Sequence, residues 1–238
     1  MSKIFLQAEW RKLMMANYAV DAALLQAYVP YKTELDIYDG ICYVSLVGFM
    51  FNNTKMLGLK IPAHVNFEEV NLRFYVRHLH EGEWRRGVVF IKELVPKLAI
   101  SLVANTLYGE HYETCAMRHN WTTNTEDQVI EYAWKKGTWQ SMQVRTGLEK
   151  QPIPEGSEAE FITEHYWGYT QLGEQKTSQY GVEHPRWEVY PILNYKINID
   201  FGQVYGQDFA FLNGLAPKSV FLAEGSEIIV RAGEKIGG

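Results

Sequence analysis

Leu72-Arg-Phe-Tyr-Val-Arg-His-Leu-His80 sets apolar residues at every second place along most of its length. Successive side chains of an extended chain point to opposite faces, so Leu72, Phe74 and Val76 share one face and Arg73, Tyr75 and Arg77 the other. The pattern predicts a strand over 70–80, and carrying it backwards puts Glu69 and Asn71 on the face of Arg73 and Tyr75. Outward from this segment, β-branched and aromatic runs recur between turn signals such as Tyr38-Asp-Gly40, Glu81-Gly82 and Lys136-Gly137. They predict further strands at 11–18, 34–37, 41–51, 84–91, 111–121, 128–135, 139–145, 187–193, 194–201 and 219–231. Aromatic residues make up 14% of the chain, with 15 Tyr and 11 Phe, as suits a chain dominated by hairpins.

Helices are fewer. Asp21 can cap a short one over 22–28, which ends before Pro30. A second is predicted over 96–108, with Pro96 in its first turn and Gly109 as its stop. A third follows Ser157 over 158–163, where Glu160 stands at capping-box spacing. Residues 149–156, with Pro152 and Pro154, form the most linker-like stretch but are too few to mark a boundary. The fold class predicted is α+β, mainly antiparallel β, as one domain over residues 1–238.

Composition narrows the partners. Of 238 residues, 47% are hydrophobic and 21% charged, and 23 Lys plus Arg against 28 Asp plus Glu give a net charge of −5. That balance argues against broad binding to phosphate backbones, so no nucleic acid is expected. The apolar runs at 41–51 and 98–107 fall far short of the roughly 20 residues that span a bilayer, and the first residues lack the apolar core of a signal peptide. A cytoplasmic protein with no membrane partner is expected. The sequons at Asn52 and Asn120 then have no role, and Cys42 and Cys115, without CxxC spacing, are expected reduced and buried.

The densest chemistry lies in Phe161-Ile-Thr-Glu-His-Tyr-Trp-Gly-Tyr-Thr170 and Tyr180-Gly-Val-Glu-His-Pro-Arg-Trp187. A solvated loop does not need so many rings, and a plain core strand would not carry so many titratable groups, so these segments are expected to approach a pocket. Metal binding has weaker support. His78 and His80 share a strand face, yet no HExxH, Cys pair or carboxylate cluster accompanies them, so no metal is expected. Glycine-rich phosphate loops and a Gly-x-Ser-x-Gly elbow are missing too. No cofactor is implied, and Glu224-Gly-Ser226 reads as a turn or bulge.

Four segments carry a family resemblance: Asn66–Val76, Arg86-Gly-Val-Val-Phe90, Phe161–Tyr169 with His184-Pro-Arg-Trp187, and Phe221-Leu-Ala-Glu-Gly-Ser226. In order and spacing the chain resembles the YqjF-like family of uncharacterised bacterial proteins, relatives of acetoacetate decarboxylase. The resemblance implies a cone-like β-barrel with peripheral helices and an interior small-molecule pocket. Acetoacetate decarboxylase forms a Schiff base on a lysine of a Tyr-Pro-Lys-Lys motif. The counterpart here is Tyr108-Gly-Glu-His111, where both lysines are replaced. Glu69 matches one of that enzyme's glutamates, while Ser45 stands where another would fall. Lys92 and Lys97 read as solvated ends of a strand and a helix.

The candidate catalytic residues are therefore Glu69, His111 and Glu164, in acid–base or electrostatic chemistry rather than covalent lysine chemistry. Arg73, Tyr75, Tyr112, His165, Trp167 and Arg186 are the candidate ligand-binding residues, for a small carboxylate or carbonyl compound. The rival reading is a non-catalytic ligand sensor or interaction protein, and a homo-oligomer suits both.

Overall fold

The computed structural model describes residues 3–62, 64–97 and 111–237. All but the first two residues of the helix predicted over 96–108 therefore lie outside the described residues, as does Glu110. The first strands are β1 (Ile4–Val20), β2 (Glu34–Leu35), β3 (Cys42–Met56), β4 (Phe67–His80), β5 (Glu83–Val95) and β6 (Tyr112–Thr114). Then follow β7 (Met117–Thr123), β8 (Gln128–Lys136), β9 (Thr138–Thr146), β10 (Gln151–Pro152), β11 (Trp167–Gly173) and β12 (Lys176–Glu183). The last are β13 (Glu188–Tyr190), β14 (Ile192–Asn198), β15 (Ser219–Arg231) and β16 (Glu234–Ile236).

These form two sheets. The larger runs β10-β13-β15-β1-β3-β4-β5-β11-β12-β16, with β2 beside β4 and β6 beside β5; the smaller runs β14-β9-β8-β7. Pairing is antiparallel except where β5 meets β6 and β11. β12 also pairs with β15, at Val182↔Val230 and Glu183↔Ile229. The fold is thus mostly antiparallel β with a few short helices, as predicted.

The hairpin β4–β5 turns at Glu81-Gly82, both at positive φ, and pairs His80 with Glu83. Strand alternation then decides what each face of β3 and β4 buries. Val44, Leu46, Val70, Leu72, Phe74 and Val76 point to a core shared with Ile130, Tyr132, Trp134, Met142 and Val144 of the smaller sheet. Tyr43, Val47, Phe49, Phe51, Phe67 and Tyr75 point the other way, to a second core with Phe161, Ile162 and Trp187. The polar residues Glu69, Asn71 and Arg73 share that second face and are buried with it.

Several boundaries differ from expectation. The segment 111–121 is two strands rather than one: β6 lies parallel to β5, and after Thr114 the chain crosses to the smaller sheet as β7. The segment 187–193 is divided at Pro191, which has no N–H for a ladder. Phe201 opens a helix, Phe201–Tyr205, whose cap Asp200 accepts from the Gln203 amide at 3.1 Å. The predicted linker contains β10, paired with β13. β11 and β12 were not predicted as strands.

Two predicted caps form. The Asp21 carboxylate accepts from the Ala23 amide at 2.9 Å, although the turn it opens, Ala22–Tyr28, is a 3₁₀ helix. Ser157 accepts from the Glu160 amide at 3.2 Å, while Glu160 itself accepts from the Gly156 amide at 2.6 Å, one residue before the capping-box donor. Among the described residues no helix is long and apolar enough to cross a membrane.

Candidate functional site

Against one face of the larger sheet lies a cavity of about 120 Å³. Its wall is mainly aromatic, with Trp10, Phe49, Phe51, Phe67, Phe90 and Trp187 among the residues that line it. Its polar side holds Glu69, Asn71 and Arg73 from β4, Glu93 from β5 and Tyr112 from β6. Helix Glu158–Thr163 adds Thr163 at its end, the turn after it adds His165, and Trp167 and Tyr180 come from β11 and β12.

Period-two alternation delivers the first three side chains, because β4 spends its other face on the core between the sheets. Glu69 is 2% exposed. Its Oε1 accepts from the Asn71 amide at 3.0 Å, and its Oε2 from the Tyr112 hydroxyl at 3.2 Å. Burial penalises the charged form and pushes the carboxyl up to about 7, against the opposing pull of these donors and of Arg73.

Arg73 is 9% exposed. Nη2 donates to the Ile162 carbonyl over a long 3.4 Å, and Nε is buried with no acceptor among the described residues. No carboxylate lies within ion-pair distance of this guanidinium among the described residues. Its charge instead acts through space on Glu69, His165 and His184.

The His165 ring is held by Asp36: Nε2 lies 3.1 Å from Asp36 Oδ2, the oxygen that also accepts from Arg86 Nε at 2.6 Å. Desolvation lowers the imidazole to about 4, and the Asp36 hydrogen bond works against that shift. At the cavity's edge His184 stacks on Trp187, with centroids 4.2 Å apart and planes 18° apart, and leans on Tyr166. Trp187 is held in turn by its Nε1–H donating to Ser226 Oγ at 2.9 Å.

Of the residues singled out from sequence, Glu69, Arg73, Tyr112, His165 and Trp167 line one cavity. Tyr75 lies behind it, its hydroxyl 2.7 Å from Ser45 Oγ. The other three stand apart from its lining. His111 is exposed and lends its carbonyl to the Glu93 amide; Glu164 accepts from Tyr166; exposed Arg186 is paired with Glu160 at 2.6 Å. Cys42 is buried and Cys115 only half-buried, and both are free. Burial pushes each thiol up to about 11, away from nucleophilic use. His78 bonds the Lys32 carbonyl through Nδ1 at 2.7 Å.

Sequence reasoning missed Asp36, Arg86 and Glu93. The one signal at Asp36 is an acid between Leu35 and Ile37, a carboxylate in an apolar run.

The architecture is that of the acetoacetate decarboxylase-like proteins. The chain superposes on the acetoacetate decarboxylase of Legionella pneumophila with a TM-score of 0.63 at 14% identity, over 98% of this chain and 87% of that one. A second solved acetoacetate decarboxylase gives a TM-score of 0.67 at 11% identity, over 99% and 90%. The enduracididine biosynthesis enzyme MppR, complexed with pyruvate, gives 0.60 at 14%, over 100% and 90%. Within that fold the chain belongs to the DUF2071 family of uncharacterized conserved proteins, whose model matches residues 7–227. It is 30% identical over 129 residues to the uncharacterized protein YqjF of Bacillus subtilis; the match covers 53% of this chain and half the length of that relative, 50%.

Proposed function

We propose that the larger sheet forms a barrel whose interior binds a small carboxylate- or carbonyl-bearing molecule without a Schiff-base lysine. The pairing of β12 with β15 supports the barrel, since it joins two strands that are far apart along the sheet's order. The observation that carries the pocket is Arg73. A guanidinium this buried, with no carboxylate within ion-pair distance among the described residues, is costly unless an anion joins it, and its planar fork suits a carboxylate. That MppR is complexed with pyruvate supports the same chemical class.

No lysine lines the cavity among the described residues, and residues 98–110 contain none in the sequence. Lys92 is engaged elsewhere, donating to the Val204 carbonyl at 2.7 Å and pairing with Glu113 at 3.2 Å. This supports a site that works without an iminium. Glu69, poised to exchange a proton near neutral pH beside a fixed positive charge, supports acid–base chemistry on a bound carbonyl compound. A ligand sensor would use the same binding step.

The test is a thermal-shift panel of small keto acids, hydroxy acids and aromatic acids on wild type and on Arg73→Ala. A ligand at a hundred times its Kd stabilises by about 2.7 kcal/mol, and truncating a buried charged partner costs about 2–5 kcal/mol of binding. Wild type should therefore shift and the variant should not, while the variant's own melting temperature stays level or rises. Silence across the panel, or equal shifts in both proteins, would remove the carboxylate pocket.

A further inference from the structure

The inference here rests on the carboxylate reading and adds the ligand's second functional group. Asp36, held ionised by Arg86 and His165, can only accept hydrogen bonds, so His165 meets it with an Nε2–H. The neutral ring then keeps a lone pair on Nδ1. That nitrogen is buried and has no partner among the described residues. Asn71 repeats the pattern: its amide nitrogen donates to Glu69, and its Oδ1 is buried without a donor among the described residues.

Both side chains belong to the cavity wall that holds Arg73. Arg73 and His165 also lie against one aromatic plate, the Tyr75 ring, at 5.6 Å from guanidinium carbon to centroid and 4.7 Å between centroids. On this wall Arg73 supplies a cation, and His165 Nδ1 and Asn71 Oδ1 are acceptors with no donor among the described residues. Buried hydrogen-bonding groups in folded proteins find partners, so a ligand that fits here brings a negative charge together with a donor.

We propose that the cavity is built for a hydroxy acid, with its carboxylate on Arg73 and its hydroxyl donating to His165 Nδ1, the apolar remainder lying against the aromatic wall. A keto acid carries the same carboxylate but no donor on the adjoining carbon, and it leaves Nδ1 bare. Sites that hydrogen-bond a substrate hydroxyl discriminate strongly against analogues lacking it, because the protein's own group is then stranded.

Calorimetric titration of 3-phenyllactate, 3-phenylpyruvate and 3-phenylpropionate into wild type tests this. The hydroxy acid should bind about tenfold more tightly than either analogue, or better. His165→Leu should bring the three to a common affinity, whereas Arg73→Ala should abolish binding of all. In case His165→Leu does not fold, ¹⁵N histidine spectra of wild type give an independent reading. Phenyllactate, and not phenylpropionate, should move the Nδ1 resonance upfield as it accepts the hydroxyl. Equal affinities with an unmoved resonance would overturn the hydroxyl assignment and leave the carboxylate pocket intact. Failure of all three acids to bind would overturn the pocket itself.

Discussion

Glu69 and His165 titrate in opposite senses within one cavity. Glu69 rises from 4.5 to about 7, so its contribution to stability is complete below pH 4.5 and is lost as the pH climbs through 7. His165 falls from 6.5 to about 4, so its contribution is present above pH 6.5 and is lost as the pH drops toward 4. The two windows overlap and their slopes oppose, which flattens the wild-type profile between them. Glu69→Gln keeps an acceptor for Asn71 or Tyr112 and removes only the ionisation. The variant should match wild type at pH 4 and exceed it by a few kcal/mol at pH 8, as read by urea denaturation at each pH. Parallel curves for the two proteins would mean that Glu69 is ionised in the fold at neutral pH. At this scale the β4 residues were legible in the sequence, because a period of two fixes which side chains share a face. Asp36 and Arg86 were not, since the contacts that give them meaning join residues 50 and 129 positions apart in the chain.

β11 shows what pattern reading loses between elements. Its residues were read as a rich aromatic segment near a pocket, and the cavity does use Trp167 and Gly168, yet their strand character went unseen. Alternation in Trp167-Gly-Tyr-Thr-Gln-Leu-Gly173 is masked by glycine and by buried polar residues, and its neighbour β5 runs parallel, beyond any hairpin signal. Close approach explains the glycines. A methyl group on Gly87 would stand 2.5 Å from the Trp167 carbonyl oxygen, and one on Gly168 would meet the Tyr180 ring at 2.2 Å. The first obstacle is backbone, so it can yield only if β5 and β11 part. Gly87→Ala is expected to cost about 1–3 kcal/mol or more, and to weaken binding in the cavity that both strands line. Gly173→Ala, at the end of β11 with nothing within 4 Å and no positive φ, should change stability by less than about 0.5 kcal/mol. Equal urea midpoints for the two variants would show that the β5–β11 contact has slack that these distances do not allow.

At the scale of the whole molecule, the division into two sheets was not legible in the sequence, because strand propensity does not say which strands join. What the sequence did contain was the apolar run at 41–51, which gives β3 two faces worth burying, and the alternation of β4 beside it. Trp134 is wholly buried in the core between the sheets, and Trp187, 4% exposed, belongs to the core on the cavity side. Neither core can come apart without releasing one face of the same two strands, and an exposed face of Val44, Leu46, Leu72 and Phe74 would be strongly unfavourable in water. The expectation of a single domain over 1–238 then becomes a statement about cooperativity: the sheets should unfold together although their hydrogen-bond ladders are separate. Labelling with 5-fluorotryptophan gives each tryptophan its own resonance, assigned by Trp134→Phe and Trp187→Phe. Along a urea series the native signals of Trp134 and Trp187 should vanish at one midpoint. Loss of the Trp134 signal first, with Trp187 still native, would mean that the smaller sheet detaches alone and that the cavity is supported by the larger sheet without it.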